Sequence, residues 1–278
     1  MLRKLLQMFG MSRSKSDQAL TGLEQLLDRV EPVNTIQGLL VATQAVALSP
    51  PLLPGAAVCL DTNVFFRLAN LPERAQVIDY LASQHKEPLI VSAQALQEVW
   101  NNYLNGIETV AGDIRSKLEA LTKSVLPLET EFQSFKDRFD AVLTEFKGEY
   151  GHLHKEGMKE RVRSLIEILE NKAVFSEVPR ARFERFYSVR KTTKTPPGFR
   201  DDGAGDYFVW LDFLYGLRME RESGSKFDRA VLITDDKKVD WVRGGVAHPT
   251  LTAECLSYVG VPLEIWSLRR LVEATADA

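Results

Sequence analysis

Ala56-Ala57-Val58-Cys59-Leu60-Asp61-Thr62-Asn63-Val64-Phe65-Phe66 is the stretch from which the rest of the chain is read. Its first half is continuously apolar rather than alternating, the pattern of a strand buried on both faces, and it predicts a central strand over Ala57–Leu60. Asp61 then stands at the carboxyl end of that strand, where open parallel sheets bind ligands. Thr62 and Asn63 suit the start of a helix, which Val64–Ala69 continues. Asp61 equally suits a plain helix N-cap, and from this stretch alone both readings stand.

Further buried runs repeat the arrangement. Pro88–Ser92 reads as a second strand, followed by a helix carrying Ala95, Leu96, Val99 and Trp100, with Glu98 in its second turn. Ala230–Thr234 reads as another strand and ends in Asp235-Asp236-Lys237-Lys238-Val239-Asp240-Trp241. Adjacent carboxylates repel unless a cation is near; Lys237 and Lys238 supply part of that, and a bound ion would supply it better. Leu263–Trp266 is a last strand and Arg269–Ala274 a closing helix. Pro72–Gln84 reads as a helix with Val77, Ile78 and Leu81 inward. Between the strands, Pro196-Pro197-Gly198-Phe199-Arg200-Asp201-Asp202-Gly203-Ala204-Gly205-Asp206 is a loop that opens an amphipathic helix, so Asp206 lies at a helix N-terminus, where a carboxylate is favourable in any case.

Working outward, residues 1–50 read as an N-terminal helical appendage to a domain over 56–278. Leu2, Leu5, Leu6 and Phe9 share one helical face, Ser12–Asp17 is a polar break, Leu20, Leu23, Leu26 and Leu27 resume the spacing, and Ile36–Leu48 gives another helix. Ser49–Gly55, rich in proline, stops it. So many leucines predict packing on the core, with a protein partner or inhibitor as the other use. From about 105 to 190 the pattern changes. Phe132, Phe135, Phe139, Val142, Leu143 and Phe146, then Met158, Val162, Leu165, Ile166 and Leu169, predict a helical hairpin inserted between sheet elements. His152 and His154 fall at its turn with no matching ligand set beside them. Arg180–Lys194 interleaves Arg182, Arg185, Arg190, Lys191 and Lys194 with Phe183, Phe186 and Tyr187. That mixture suits a phosphate-and-base contact surface, or the solvated face of an amphipathic helix.

The 278 residues, 45% hydrophobic and 26% charged, are enough for one large domain with a proper core. A net charge of −3 argues against a basic nucleic-acid coat but allows a local basic groove beside an acidic site. The two cysteines, Cys59 and Cys255, form neither a disulfide framework nor a metal motif, which predicts a reducing, cytoplasmic compartment. No apolar run is long enough for a membrane span, and the N-terminus lacks the apolar core of a secretory signal.

Asp61 and Asp235-Asp236 end strands, Glu98 follows a strand and Asp206 opens a helix, and right-handed crossovers would bring such ends to one edge of a parallel sheet. Carboxylates without histidine or thiolate ligands suit a hard cation, Mg²⁺ or Mn²⁺. Such an ion activates water for attack on phosphate.

Leu60-Asp61-Thr62-Asn63-Val64, Gly205-Asp206 opening a helix and Leu232-Ile233-Thr234-Asp235-Asp236 closing a strand resemble PIN-domain nucleases. The Pro196–Asp201 loop, Gly205–Trp210, Thr234–Trp241 and the later His248-Pro249-Thr250-Leu251 with Glu254 resemble more specifically the PIN-like family first described as a domain of unknown function. The resemblance covers Val58 to about Val272. It implies a three-layer α/β/α sandwich with a central parallel sheet, and metal-dependent phosphodiester hydrolysis, usually of RNA, in bacterial relatives with toxin or antiviral defence settings. By position it makes Asp61, Glu98, Asp206 and Asp236 the metal-binding catalytic acids. Asp235 and Asp240 are further metal candidates, Asp201 approaches the site, and Thr234 or Asn63 orients a ligand or water. Lys237, with Arg182, Arg185, Arg190, Lys191 and Lys194, makes up the expected nucleic-acid contact set.

Two other readings compete. One is a catalytically inactive PIN-like module that binds RNA or a protein partner. The other is a phosphatase of the haloacid dehalogenase type, whose Gly-Asp…Asp element Gly205-Asp206 through Asp212 mimics. That element should follow a buried strand, however, whereas Phe199–Ala204 is polar and glycine-rich.

Overall fold

The computed structural model describes residues 2–47, 53–106, 116–121, 133–150, 155–236 and 238–276. The apolar runs form strands: β1 (Ala56–Leu60), β2 (Leu89–Ser92), β3 (Ala173–Ser176), β4 (Arg229–Ile233) and, after a small antiparallel pair β5 (Val242–Arg243) and β6 (Val246–Ala247), β7 (Leu263–Trp266). Five of them make one sheet in the order β3-β2-β1-β4-β7, with every pairing parallel. The β1–β4 pairing runs from Ala56↔Arg229 to Leu60↔Ile233.

Successive strand residues face opposite ways, and each face carries its own core. Ala57, Cys59, Ala230, Leu232, Leu263 and Ile265 pack with Leu23, Phe183, Trp210, Phe213 and Leu251 on one side. Val58, Leu60, Val91, Val231 and Ile233 pack with Phe65, Leu68, Leu81, Val162 and Leu271 on the other. The first face is covered by α1 (Leu2–Leu27), α2 (Thr35–Ala47), α8 (Arg180–Thr193), α9 (Gly205–Ser223) and α10 (Pro249–Tyr258). The second is covered by α3 (Thr62–Asn70), α4 (Arg74–Asp79), α7 (Lys155–Lys172) and α11 (Leu268–Ala276). Two further helices are α5 (Ala93–Gly106) and α6 (Gln133–Tyr150), and residues 116–121 form a short helical segment between them. The result is the three-layer α/β/α sandwich with a central parallel sheet.

Several elements differ from the sequence expectation. Ser12–Asp17 does not break the chain: α1 runs through it, since a few polar residues do not by themselves stop a helix. The first two helices are built into the core rather than standing beside it. Leu20, Leu23, Leu26, Leu27 and Ala42 are all buried, the Tyr258 hydroxyl donates to the Ala19 carbonyl at 2.8 Å, and Gly38 lets α2 lie directly against Pro249 and Ala253 of α10. The helix over Pro72–Gln84 is α4 followed by a π-helical turn, Tyr80–Gln84.

The span 105–190 is not all helical hairpin, because it also holds β3 and most of α8. α7 is integral to the second core, with Val162 and Leu165 fully or almost fully buried. On α6 Leu143 is buried while Phe135 and Val142 are exposed. His152, His154 and Phe132 lie outside the described residues. Both cysteines are buried and unpaired. Among the described residues no helix is long and apolar enough to cross a membrane.

Candidate active site

β1 and β4 are neighbours from which the chain leaves in opposite directions, through β2 and β3 on one side and to β7 on the other. The gap between their carboxyl ends is therefore the switch point of the sheet, where a crevice opens. Asp61 follows β1 and Asp235-Asp236 follow β4 by way of Thr234.

The two readings of Asp61 coincide in the structure. One oxygen accepts from the Thr62 amide at 2.7 Å and caps α3, while the other accepts from Asn63 Nδ2 and Thr234 Oγ1, each at 2.7 Å. Burial pushes its pKa up to about 6, restrained by the Thr234 and Thr62 hydrogen bonds and reinforced by the charges of Glu98 and Asp236. Glu98, on α5, accepts from Thr62 Oγ1 at 2.9 Å and from Gln94 Nε2 at 2.8 Å. Gly205, the first residue of α9, lies so close that a Cβ there would collide with Glu98 Oε1. Gly205→Ala is therefore expected to push the Glu98 carboxylate aside while circular dichroism shows the fold retained.

Asp206, in the first turn of α9, accepts from Trp241 Nε1 at 2.8 Å and from Lys238 Nζ at 3.2 Å, and shares a hydrogen bond with Asp201. Burial, then that bond, raises its pKa to about 7, against the pull of Trp241 and Lys238. Burial also pushes Asp201 upward, but the hydrogen bonds from Lys238 and Asp206 outweigh it and hold Asp201 below the usual carboxylate range.

Asp235 and Asp236 part company. Asp235 accepts from the Leu268 amide at 2.9 Å, capping α11, and pairs with Arg67 at 2.9 Å. Asp236 turns the other way, accepts from the Lys238 amide at 2.9 Å and meets Lys238 Nζ at 2.9 Å. Asp240 is fully buried beneath the Pro196–Gly198 loop. One of its oxygens accepts from the Gly198 amide at 2.9 Å and the other has no partner. The geometry thus gathers Asp61, Glu98, Asp201, Asp206 and Asp236, and gives Asp235 and Asp240 structural partners instead.

Among the described residues no three acids, histidines or cysteines converge as a ready-made metal cage. The donor set nevertheless fits a hard divalent cation, because its side-chain ligands are all carboxylate oxygens and a cationic group, the Lys238 ammonium, already sits among three of them. The raised pKa values have a sign that follows from linkage. A carboxyl whose folded pKa exceeds its unfolded one adds stability below about pH 4 and loses it as pH rises through the folded value. In EDTA, Asp206→Asn is therefore expected to melt above the wild type by a margin that widens from pH 5 to pH 8, on the order of 3 kcal/mol at most. A margin that narrows over that range would contradict the burial cost.

The basic stretch folds as α8, and most of its cations already have partners within the protein. Arg182 donates to Glu24 of α1 at 2.6 Å, Arg185 lies 3.9 Å from the same carboxylate and 4.5 Å over the Phe186 ring, and Lys191 donates to the Asp201 carbonyl at 2.9 Å. Arg190 is corrected: it is buried, paired with Glu254 at 2.8 Å, and does not reach the surface. Arg29 and Trp210 Nε1 complete the shell of Glu254, at 2.6 and 2.8 Å. Lys194 is an exposed left-handed helix cap. Lys237 lies outside the described residues. The residues missed as site members are Trp241, whose Nε1 reaches Asp206 from 35 residues further on, and Gln94, one turn before Glu98 on α5. The sequence shows Lys238 only as a source of charge, and the structure gives it three carboxylate partners.

A parallel α/β/α sandwich with its acids at the switch point is thus the class that fold and site define. The family profile described as "PIN like domain" matches residues 57–251, and the chain belongs to that family, whose members are generally nucleases. Comparison with curated proteins and with solved structures gave no match.

Proposed function

We propose that the protein is a divalent-metal-dependent endonuclease acting on RNA, in a toxin or phage-defence setting by its resemblance to bacterial relatives. The observation that carries this reading is the meeting of Asp61, Glu98, Asp206 and Asp236 at the β1–β4 switch point, with the Lys238 ammonium bridging Asp206 and Asp236. These four would hold Mg²⁺ or Mn²⁺. When bound, the ion supplies an activated water and stabilises charge on the phosphate. The chain's own residues do the positioning: Thr62 and Gln94 fix Glu98, Thr234 and Asn63 fix Asp61, and Trp241 fixes Asp206.

The test is cleavage of labelled single-stranded RNA and DNA with Mn²⁺, Mg²⁺ or EDTA, with Asp236→Asn beside the wild type. Cleavage of RNA that needs metal and is lost in the variant supports the proposal. Cleavage of DNA alone would change the substrate. No cleavage and no metal-induced rise in melting temperature would favour an inactive binding module. On this reading Arg185 and Lys191 of α8 and its cap Lys194 are exposed cations available to a phosphate. Arg185→Ala is expected to reduce the salt slope of RNA binding by about 1, whereas Arg182→Ala, already paired to Glu24, leaves it unchanged in a filter-binding titration.

A further inference from the structure

Lys238 has a position that its sequence neighbourhood does not explain. An ammonium has three N–H bonds, and here each meets a carboxylate: Asp201 at 2.8 Å, Asp236 at 2.9 Å and Asp206 at 3.2 Å. The three acids come from different parts of the chain, namely the loop before α9, the turn after β4 and the first turn of α9. The backbone amide of Lys238 is anchored on Asp236 as well, so the side chain folds back over its own turn. Its side chain is 35% exposed, which leaves it a way out to solvent.

We propose that Lys238 is a tethered cation that holds Asp206 and Asp236, two of the four acids assigned to the divalent ion, and has to release them before the ion can enter, so that it sets the metal affinity. The proposal rests on the metal-centre reading above. One ammonium meets three carboxylates, so the charge of Lys238 does not by itself neutralise them. A dication bound by the same oxygens interacts more strongly with each of them than a monocation does at comparable distance. The two cannot share those oxygens, and binding is therefore an exchange of the ammonium for the ion. With the ion absent, Lys238 joins the Asp201 loop to Asp206 and Asp236 and offsets their repulsion.

The experiment uses the full chain. Mn²⁺ is titrated by calorimetry and by thermal unfolding into the wild type, Lys238→Met and Lys238→Gln, with Asp236→Asn as the ligand-loss control. Both lysine variants are expected to bind Mn²⁺ at least about tenfold more tightly than the wild type and to melt lower without it. Equal or weaker binding in the variants, with the wild type binding, overturns the exchange and leaves the metal centre standing. No binding in any of the lysine variants or the wild type overturns both. The wild type gives an independent measurement. The rate at which a succinimidyl ester acylates Lys238, mapped by peptide mass, should rise when Mn²⁺ saturates the protein, and an unchanged rate overturns the proposal.

Discussion

Asp61→Asn is expected to lower metal-dependent cleavage by about 100-fold or more, roughly 3 kcal/mol of the barrier, while raising the melting temperature of the metal-free protein at pH 8. Both effects come from one cause. Asp61 is almost fully buried, its pKa is pushed up to about 6 by that burial, and Glu98 and Asp236 press on it with like charge. Asparagine removes the charge the ion would meet and also removes its desolvation cost. It retains the cap on α3, because asparagine and aspartate are equally good there. Single-turnover cleavage and melting curves in EDTA measure the two halves separately. A wild-type rate would take Asp61 out of the chemistry. A lower melting point would mean that its hydrogen bonds from Thr234 and Asn63 outweigh the burial.

The largest loss of stability is expected at Asp212, which takes no part in the proposed reaction. It lies inside α9 with no exposed surface, and its carboxylate accepts from Ser92 Oγ at 2.8 Å, the Gln94 amide at 3.2 Å, the Val178 amide at 2.9 Å and both terminal nitrogens of Arg180 at 2.9 and 3.0 Å. These donors come from the carboxyl ends of β2 and β3 and the starts of α5 and α8. Asp212→Ala leaves all of them unpaired, Arg180 among them, at a cost of about 3–5 kcal/mol. Urea denaturation would read the loss as a lower midpoint. Asp212→Asn should recover only part of it, because one of its two positions becomes a donor facing donors. The same network answers the phosphatase-like spacing of Gly205-Asp206 through Asp212, since the second aspartate is spent on holding strand ends.

The central strands were legible because burial on both faces leaves a continuous apolar run, and Asp61, Asp206 and the Asp235-Asp236 pair stood out as candidates because each follows such a run or a glycine-rich loop. β3 was not. Ala173-Val174-Phe175-Ser176 follows α7 without a break, is only four residues long, and leaves Phe175 60% exposed on the sheet edge. The choice between Asp235 and Asp236 depends on the amide of Leu268 and the side chain of Arg67, both far away in sequence. Arg190 looked like a surface cation because its neighbours are basic, and its buried partner Glu254 lies 64 residues on. Partnerships of this range belong to the packing and have no local signature.

The match over 57–251 stops short of β7 and of Glu254, and begins after α1 and α2. A fragment trimmed to the shared span would present β4 as a naked sheet edge, with Val231 and Ile233 flanking unpaired backbone donors and acceptors, and would strand Arg190 without its counter-ion. The segment after residue 251 therefore carries both the sheet's own edge strand and the counter-ion of a buried arginine, and a version of the protein that keeps its sheet intact includes it.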